Sequence, residues 1–436
     1  MSSEWPDVRL EEVTSILGDG LHGTPIYDDC GDYFFINGSN LANGRIVINN
    51  TTKRVDTAEY ERHKKNLNDR TILVSINGTL GNVGLYNGEK VILGKSACYF
   101  NILDGVDKNF IRYVLASSLF QGYISNLATG STIKNVSLRL MRDFSFKLPP
   151  LEVQLNISGV LKSLDDRINL LRETNATLEA IGQALFKSWF VDFDPVRAKA
   201  EGLEPNGMDA ATAAMFPGSF AESELGLVPT GWRMLPLEDA YDVNPSRKLK
   251  KGEVAPYLDM ASVSTQGHVV SGVIEREMGA GTKFINGDTL LARITPCLEN
   301  GKSAFVDFLP EDQTGWGSTE FVVLRPRAPL PPYHGYLLAR HSAFREHAIQ
   351  SMSGTSGRQR VQNDVLGRYP IVVPSDEIAE AFGDVVGSAQ QKIAANQEQV
   401  KTLTQLRDTL LPRLISGQLC LPETEAIVGN TLSGAF

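Results

Sequence analysis

Lysines and arginines set beside small polar loops are the residues of this chain whose types and spacing suggest chemistry, namely contact with phosphates and base edges. Lys53, Arg54, Lys64 and Lys65 stand in the first half, and Lys134 follows Ser131 and Thr132. The second half carries Arg247, Lys248, Lys250 and Lys251, then Arg293, then Thr355, Ser356, Arg358 and Arg360. In both halves cations adjoin a Gly/Ser/Thr loop, at 128–137 and 353–362. The amides and hydroxyls of such a loop can approach phosphates, while arginine can bridge a guanine edge. Asn77 and Arg293 lie at or just beyond expected strand ends, and the pairings that groove geometry favours are asparagine with adenine and arginine with guanine. The 436-residue chain is nevertheless acidic, with 42 Lys+Arg against 51 Asp+Glu and a net charge of −9. That balance argues against a lone, broadly basic nucleic-acid binder and limits the phosphate contacts the chain can make without a partner.

No reaction centre accompanies these cations. GEKVILGKS (88–96) imitates a phosphate loop, but five residues separate Gly88 from Gly94 where the motif requires four. LPPY (330–333) has the two prolines of an adenine-methylation motif but no Asn or Asp before them. Pro6-Asp7 followed by Glu11-Glu12 lacks the lysine of a nuclease cluster, and no GxSxG elbow is present. The six histidines form no ligand set, since His341 and His347 do not share a helix face. The four cysteines, Cys30, Cys98, Cys297 and Cys420, include no CxxC pair, which fits a reducing cytoplasm and no structural zinc. No apolar run is long enough to span a membrane, and the opening MSSEWPDVRLEE does not read as a secretion signal. The expectation is a chain with no catalytic residues, no bound metal, no cofactor of its own and a cytoplasmic location.

The elements that would position the cations occur twice. EWPDVRLEEV (4–13) matches GWRMLPLEDA (231–240), and NDRTILVSINGTL (68–80) matches NGDTLLARITPCL (286–298), aligning Leu73 with Leu291 and Ser75 with Arg293. Each copy closes on a proline step, at 148–154 and 373–379, and then enters a long helix. Ile157, Leu161, Leu164, Ile168, Leu171, Leu178 and Leu185 recur at alternating four- and three-residue steps, interrupted by Asn175 and Gly182. Phe382, Val386, Ala389, Ile393, Val400, Leu403 and Leu410 repeat the pattern at an offset of 225 residues, interrupted by Asn396 and Arg407. These are coiled-coil seams, best buried against each other as an antiparallel pair about 55 Å long. Asn175 and Asn396 would nearly face each other there and could fix the register. The helices are expected to break before Pro195 and at Pro412. ILVSI (72–76), TLLAR (289–293) and FVVLR (321–325) read as strands, 109–125 and 332–349 as amphipathic helices, and 195–230 as an exposed, loosely helical connection.

The expected fold class is therefore α+β, with two tandem, pseudo-symmetric mixed α/β domains joined by two long helices forming an antiparallel coiled coil. The segments are 1–150, 151–195, 196–227, 228–374, 375–419 and a tail at 420–436. Two similar but non-identical modules suit two different half-sites on DNA.

ALFKSWFVDFDPVRAKAEG (184–202), MFPGSFAESELGLVPTGW (215–232) and LRDTLLPRLISGQL (406–419) closely resemble conserved regions of type I restriction–modification specificity subunits, and GSTEFVVLRP (317–326) fits the same family. The resemblance covers essentially the whole chain. It implies a non-catalytic subunit with target recognition domains at 1–150 and 228–374, each reading one part of a split double-stranded DNA sequence. It also implies conserved helical regions at 151–195 and 375–419 that dock two methyltransferase subunits, which bind S-adenosylmethionine and methylate adenine. Motor-nuclease subunits would complete the restriction complex. The expected docking residues are Phe186, Trp189, Phe190 and Phe193 with Leu411, Leu414 and Ile415. A stand-alone DNA-binding adaptor of the same fold, without methylase partners, is the alternative.

Overall fold

Thr71–Ser75 and Thr289–Ala292 are Leu- and β-branched-rich runs buried at every position, as strands covered on both faces require. The computed structural model describes residues 5–130, 134–223, 226–355 and 357–419. In it each run is the third strand of a sheet. The first sheet runs Thr14–Asp19, Ala97–Ile102, Thr71–Ser75, Val83–Leu85, then Gly44–Ile46 and Leu41–Ala42. The second runs Tyr241–Val243, Phe321–Pro326, Thr289–Ala292, Ser303–Phe305. A smaller sheet accompanies each. Tyr33–Ile36 pairs antiparallel with Arg54–Val55 and parallel with Val91–Leu93, while Val254–Leu258 pairs antiparallel with Ile274–Glu277 and parallel with Gly315–Gly317. Asp7–Arg9 closes on Ser145–Lys147 as Arg233–Pro236 closes on Pro370–Val373. The repeat in the sequence is a repeat of hydrogen-bond topology.

Each expected amphipathic helix is a pair of helices. Lys108–Ala116 and Ser118–Leu127 meet at Ser117, and Pro332–Arg340 and Ser342–Gln350 meet at His341. Both junction residues are extended, with ψ of 156° and 135°, and each ends one helix while opening the next. The Ser117 hydroxyl donates to the Val114 carbonyl at 2.6 Å, a local bond that competes with helix continuation.

Contacts divide the chain into two compact units, one built from residues up to Asn169 with those from Lys401 on, the other from Leu170–Val400. The division falls inside both long helices, Leu151–Phe190 and Asp376–Ile415. In the first unit the seam residues Ile157, Leu161, Leu164, Ile168, Leu403 and Leu410 are buried, and Arg407 Nη1 donates to Asp165 Oδ1 at 2.8 Å. In the second, Leu171, Phe382, Val386, Ile393 and Val400 are buried, and Asn396 Nδ2 donates to Asn175 Oδ1 at 2.8 Å. Within the second unit, advancing from Asn175 to Phe190 on one helix moves the contact back from Asn396 to Phe382 on the other, so the helices pack antiparallel. Three of the four breaks in the apolar pattern thus take part in two polar pairs, and the two asparagines do face each other.

One boundary differs from expectation. The second helix passes through Pro412 to Ile415, because proline this close to an end disrupts only the final turn, and Gly417 at φ 73° terminates it. The 195–230 connection is mostly exposed and partly helical, as its composition suggests, but it is anchored at a few buried side chains. It holds the helices Asp194–Ala200 and Ala210–Met215 and the hairpin Phe220–Ser223 with Gly226–Pro229. Phe216 and Val228 within it are buried in the second unit's core beside Trp189 and Trp232. Among the described residues no helix is long and apolar enough to cross a membrane.

Candidate nucleic-acid interface

Both units place a strand end against a polar loop by the same backbone bonds. In the second unit the Arg293 amide donates to the Glu320 carbonyl at 2.9 Å, and the Val361 amide donates to the Arg293 carbonyl at 3.0 Å. Thr295 is joined to Gln359, and Ser353 exchanges two bonds with Arg360. In the first unit the Ile76 amide donates to the Ser96 carbonyl and the Val136 amide to the Ile76 carbonyl, each at 2.9 Å. Gly78 is joined to Lys134, and Thr129 exchanges bonds with Asn135. Asn77 and Lys134 are thus brought together, as are Arg293, Thr355, Arg358 and Arg360. Ser131, Thr132 and Ser356, which the sequence also nominates, lie outside the described residues.

These bonds put Arg293 in the place of Ile76, one residue from the alignment with Ser75 that the sequence suggests. The registers agree, since Ser75 pairs with Ala97 as Ala292 pairs with Phe321. Sequence similarity cannot resolve a one-residue slip between two short apolar strands, whereas the hydrogen-bond ladder fixes it.

The side chains within the second loop differ in role. Arg360 holds Glu320 by a fork, Nε to Oε2 at 2.8 Å and Nη2 to Oε1 at 2.6 Å, and this keeps the Glu320 carboxyl below its ordinary range. Arg293 has a buried Nε without a hydrogen-bond partner among the described residues. It lines a cleft with Arg247, Lys283, Asn244, Ser246 and Thr319. Arg247 is tied to the fully buried Asp288 at 2.9 Å, which also accepts from Arg325 at 2.7 Å. It therefore serves the fold as well as facing the cleft. Thr355 and Arg358 are exposed.

The remaining cations sit elsewhere. Lys53 and Arg54 lie at the edge of the first unit's small sheet, over the rings of Tyr27 and Phe34. Lys64 and Lys65 follow the helix Thr57–His63, and Lys64 is paired with Glu61 at 2.6 Å. Lys248, Lys250 and Lys251 are exposed on the turn before Val254–Leu258. The sequence reading missed the carboxylates Asp288 and Glu320. Both sit one residue before a strand, in NGD and STE, a position that could have flagged them.

The expected docking residues are interior. Phe186, Trp189, Phe190 and Phe193 are buried in the second unit's core, with Trp189 edge-on to Phe216 at 4.8 Å and Phe190 edge-on to Phe382 at 4.7 Å. Leu411, Leu414 and Ile415 are buried in the first unit. Helical spacing alone does not tell a core stripe from a docking stripe, because both are apolar. Histidines here are also structural. His334 is buried against Tyr241, and burial pushes its pKa down to about 3. His268 bridges Tyr333 at 2.9 Å and Asp307 at 3.1 Å. Among the described residues no group of three or more His, Cys, Asp or Glu could hold a metal ion.

Duplicated units that share a strand-end loop but fill it with different side chains define a two-part recognition scaffold. Residues 2–180 match the family model for the type I restriction modification DNA specificity domain. The chain is 27% identical over 370 residues to the type I restriction enzyme HindI specificity subunit of Haemophilus influenzae, covering 71% of this chain and 77% of that protein. It is 24% identical over 438 residues to the MjaIX specificity subunit of Methanocaldococcus jannaschii, covering 96% and 94%. A solved S subunit from M. genitalium has the same fold, with a TM-score of 0.55 at 18% identity over 94% of this chain and 96% of that one. Residues 2–180 thus carry the match to the specificity-domain family, and most of the chain is similar to specificity subunits of type I restriction enzymes.

Proposed function

We propose that this subunit reads a bipartite, asymmetric double-stranded DNA target, one part through residues 1–150 and the other through 228–374. It would do so as the non-catalytic member of a cytoplasmic complex with two methyltransferase subunits and, for restriction, motor-nuclease subunits. S-adenosylmethionine would be bound by the methyltransferase partner, and this chain would hold no cofactor. The observation that carries the reading is the repeated strand-end loop, which carries Asn77 and Lys134 in one unit and Arg293, Thr355 and Arg358 in the other. Lys53, Arg54, Lys64 and Lys65 in the first unit, and Lys248, Lys250 and Lys251 in the second, are proposed as phosphate contacts. The conserved helical regions 151–195 and 375–419 are proposed to dock the methyltransferases through side chains other than the buried aromatics.

The test is co-expression with the methyltransferase subunit encoded beside this chain, followed by mapping of methylated adenines across the host genome. A split motif with a fixed gap is expected, and exchanging 228–374 for another module should alter one half of it only. A change in both halves would sink the modular assignment, and failure to form a complex would favour the stand-alone adaptor. Arg293→Ala should cost about 1–3 kcal/mol of base discrimination in that half. An equal loss on all sequences would make Arg293 a phosphate contact instead.

A further inference from the structure

Arg293, Glu320 and Arg360 occupy the places held in the first unit by Ile76, Ser96 and Asn135, as the matching backbone bonds establish. Three neutral residues therefore face three charged ones on the same frame. Glu320 is the carboxylate beside Arg293. Their backbones are bonded at 2.9 Å, and the charge of Arg293 contributes to holding the Glu320 carboxyl low, after the larger effect of the Arg360 hydrogen bonds. Arg360 nevertheless takes both carboxylate oxygens, and Arg293 is left in its cleft with an unpartnered Nε. A buried guanidinium donor without an acceptor is costly, and an acceptor brought by a ligand removes that cost. The neighbouring Arg247 and Lys283 carry donors only, and they are themselves engaged, Arg247 with Asp288 and Lys283 with the Leu249 carbonyl at 2.7 Å.

We propose that Arg360 is a positioning residue that occupies Glu320 and so keeps Arg293 free to read an acceptor-bearing base edge, guanine by its geometry, in the half-site of the second unit. The proposal rests on the specificity function and adds to it the device that arms one reader. It also reassigns Arg360 from DNA contact to support. The first unit has Ile76, only 4% exposed, in the place of Arg293, so reading there falls to the neighbouring Asn77, and the two halves are read by different chemistry.

The experiment measures binding of the full complex with its methyltransferase to the mapped target duplex and to duplexes altered in either half. Arg360→Ala releases Glu320 to capture Arg293, so discrimination in the second half should fall about tenfold, matching Arg293→Ala, with the first half unchanged. Glu320→Gln alone should keep discrimination, because it removes the competing anion. The double variant Glu320→Gln/Arg360→Ala should recover to within about threefold of the parent. Recovery cannot come from restored loop contacts, since both variants lack the Arg360 side chain. A double variant as weak as Arg360→Ala would overturn the proposal and make Arg360 a direct contact or a brace of the loop. Full discrimination by Arg360→Ala, or by Arg293→Ala, would overturn it as well. A parent complex that cannot distinguish the duplexes would instead refute the specificity reading beneath it.

Discussion

Asp165→Ala is expected to destabilise the first unit by about 3–5 kcal/mol, the cost of breaking a buried ion pair from one side. Asp165 accepts from Arg407 Nη1 at 2.8 Å, from Arg112 Nη2 at 2.7 Å and from the Tyr113 hydroxyl at 2.8 Å. Its side chain is 10% exposed, and those of Arg112 and Arg407 are 15% and 26% exposed. Removing the carboxylate leaves Arg112 without its anion beside a buried tyrosine, and leaves Arg407 with Asp408 alone, at 2.7 Å. Arg112 and Tyr113 belong to the helix Lys108–Ala116, and Asp165 and Arg407 to the two long helices, so the cluster joins the sheet-bearing part of the unit to its helical part. Burial by itself would raise the Asp165 pKa, but the Arg407 hydrogen bond, the Arg112 charge and the Tyr113 hydroxyl outweigh it and lower the value. A depressed folded-state pKa gives stability that is complete above the unfolded aspartate value of about 3.9 and is lost as pH falls through the lower folded value. The wild type should therefore lose stability in acid below about pH 4, and the variant should lack this contribution. Amide exchange across 108–116, followed with pH, reads both effects. Unchanged protection in Asp165→Ala at pH 7 would show that the cluster is neutral to stability.

Much of the frame was legible in the sequence because it depends on period and repetition. The doubled strands, the two seams and the Asn175–Asn396 pair follow from where apolar residues recur, and burial enforces that recurrence. What was not legible depends on contacts between residues distant in sequence. Arg360 reads as one more loop cation until Glu320, 40 residues earlier, is seen in its fork. Arg247 likewise reads as a groove cation until Asp288 is seen beneath it. The breaks at Ser117 and His341 were hidden because neither residue is a strong helix breaker, and the apolar pattern runs straight across both. Pro412 misled in the opposite sense, since a strong breaker ends a helix only where a full turn or more would have to follow it.

Trp189→Ala is the second large expected effect, and it separates the two readings an apolar stripe allows. Trp189 is 3% exposed, edge-on to Phe216 at 4.8 Å and tilted against Phe382 at 5.7 Å. Phe382 opens the seam of the second long helix and also receives Phe190, while Phe216 comes from the connection between the two sequence copies. One indole thus ties the end of the first long helix, the start of the second and the connection into a single core. Its removal should cost about 3–5 kcal/mol in the second unit, because three elements cannot collapse together to fill the space. Thermal unfolding should show an earlier transition, with amide protection lost around 186–190 and 378–386. Phe190→Leu, which keeps most of the apolar volume, should lose much less. A docking residue would behave differently, leaving stability unchanged while abolishing methyltransferase association. That outcome for Trp189→Ala would return the aromatic cluster to the surface role that its spacing in the sequence first suggested.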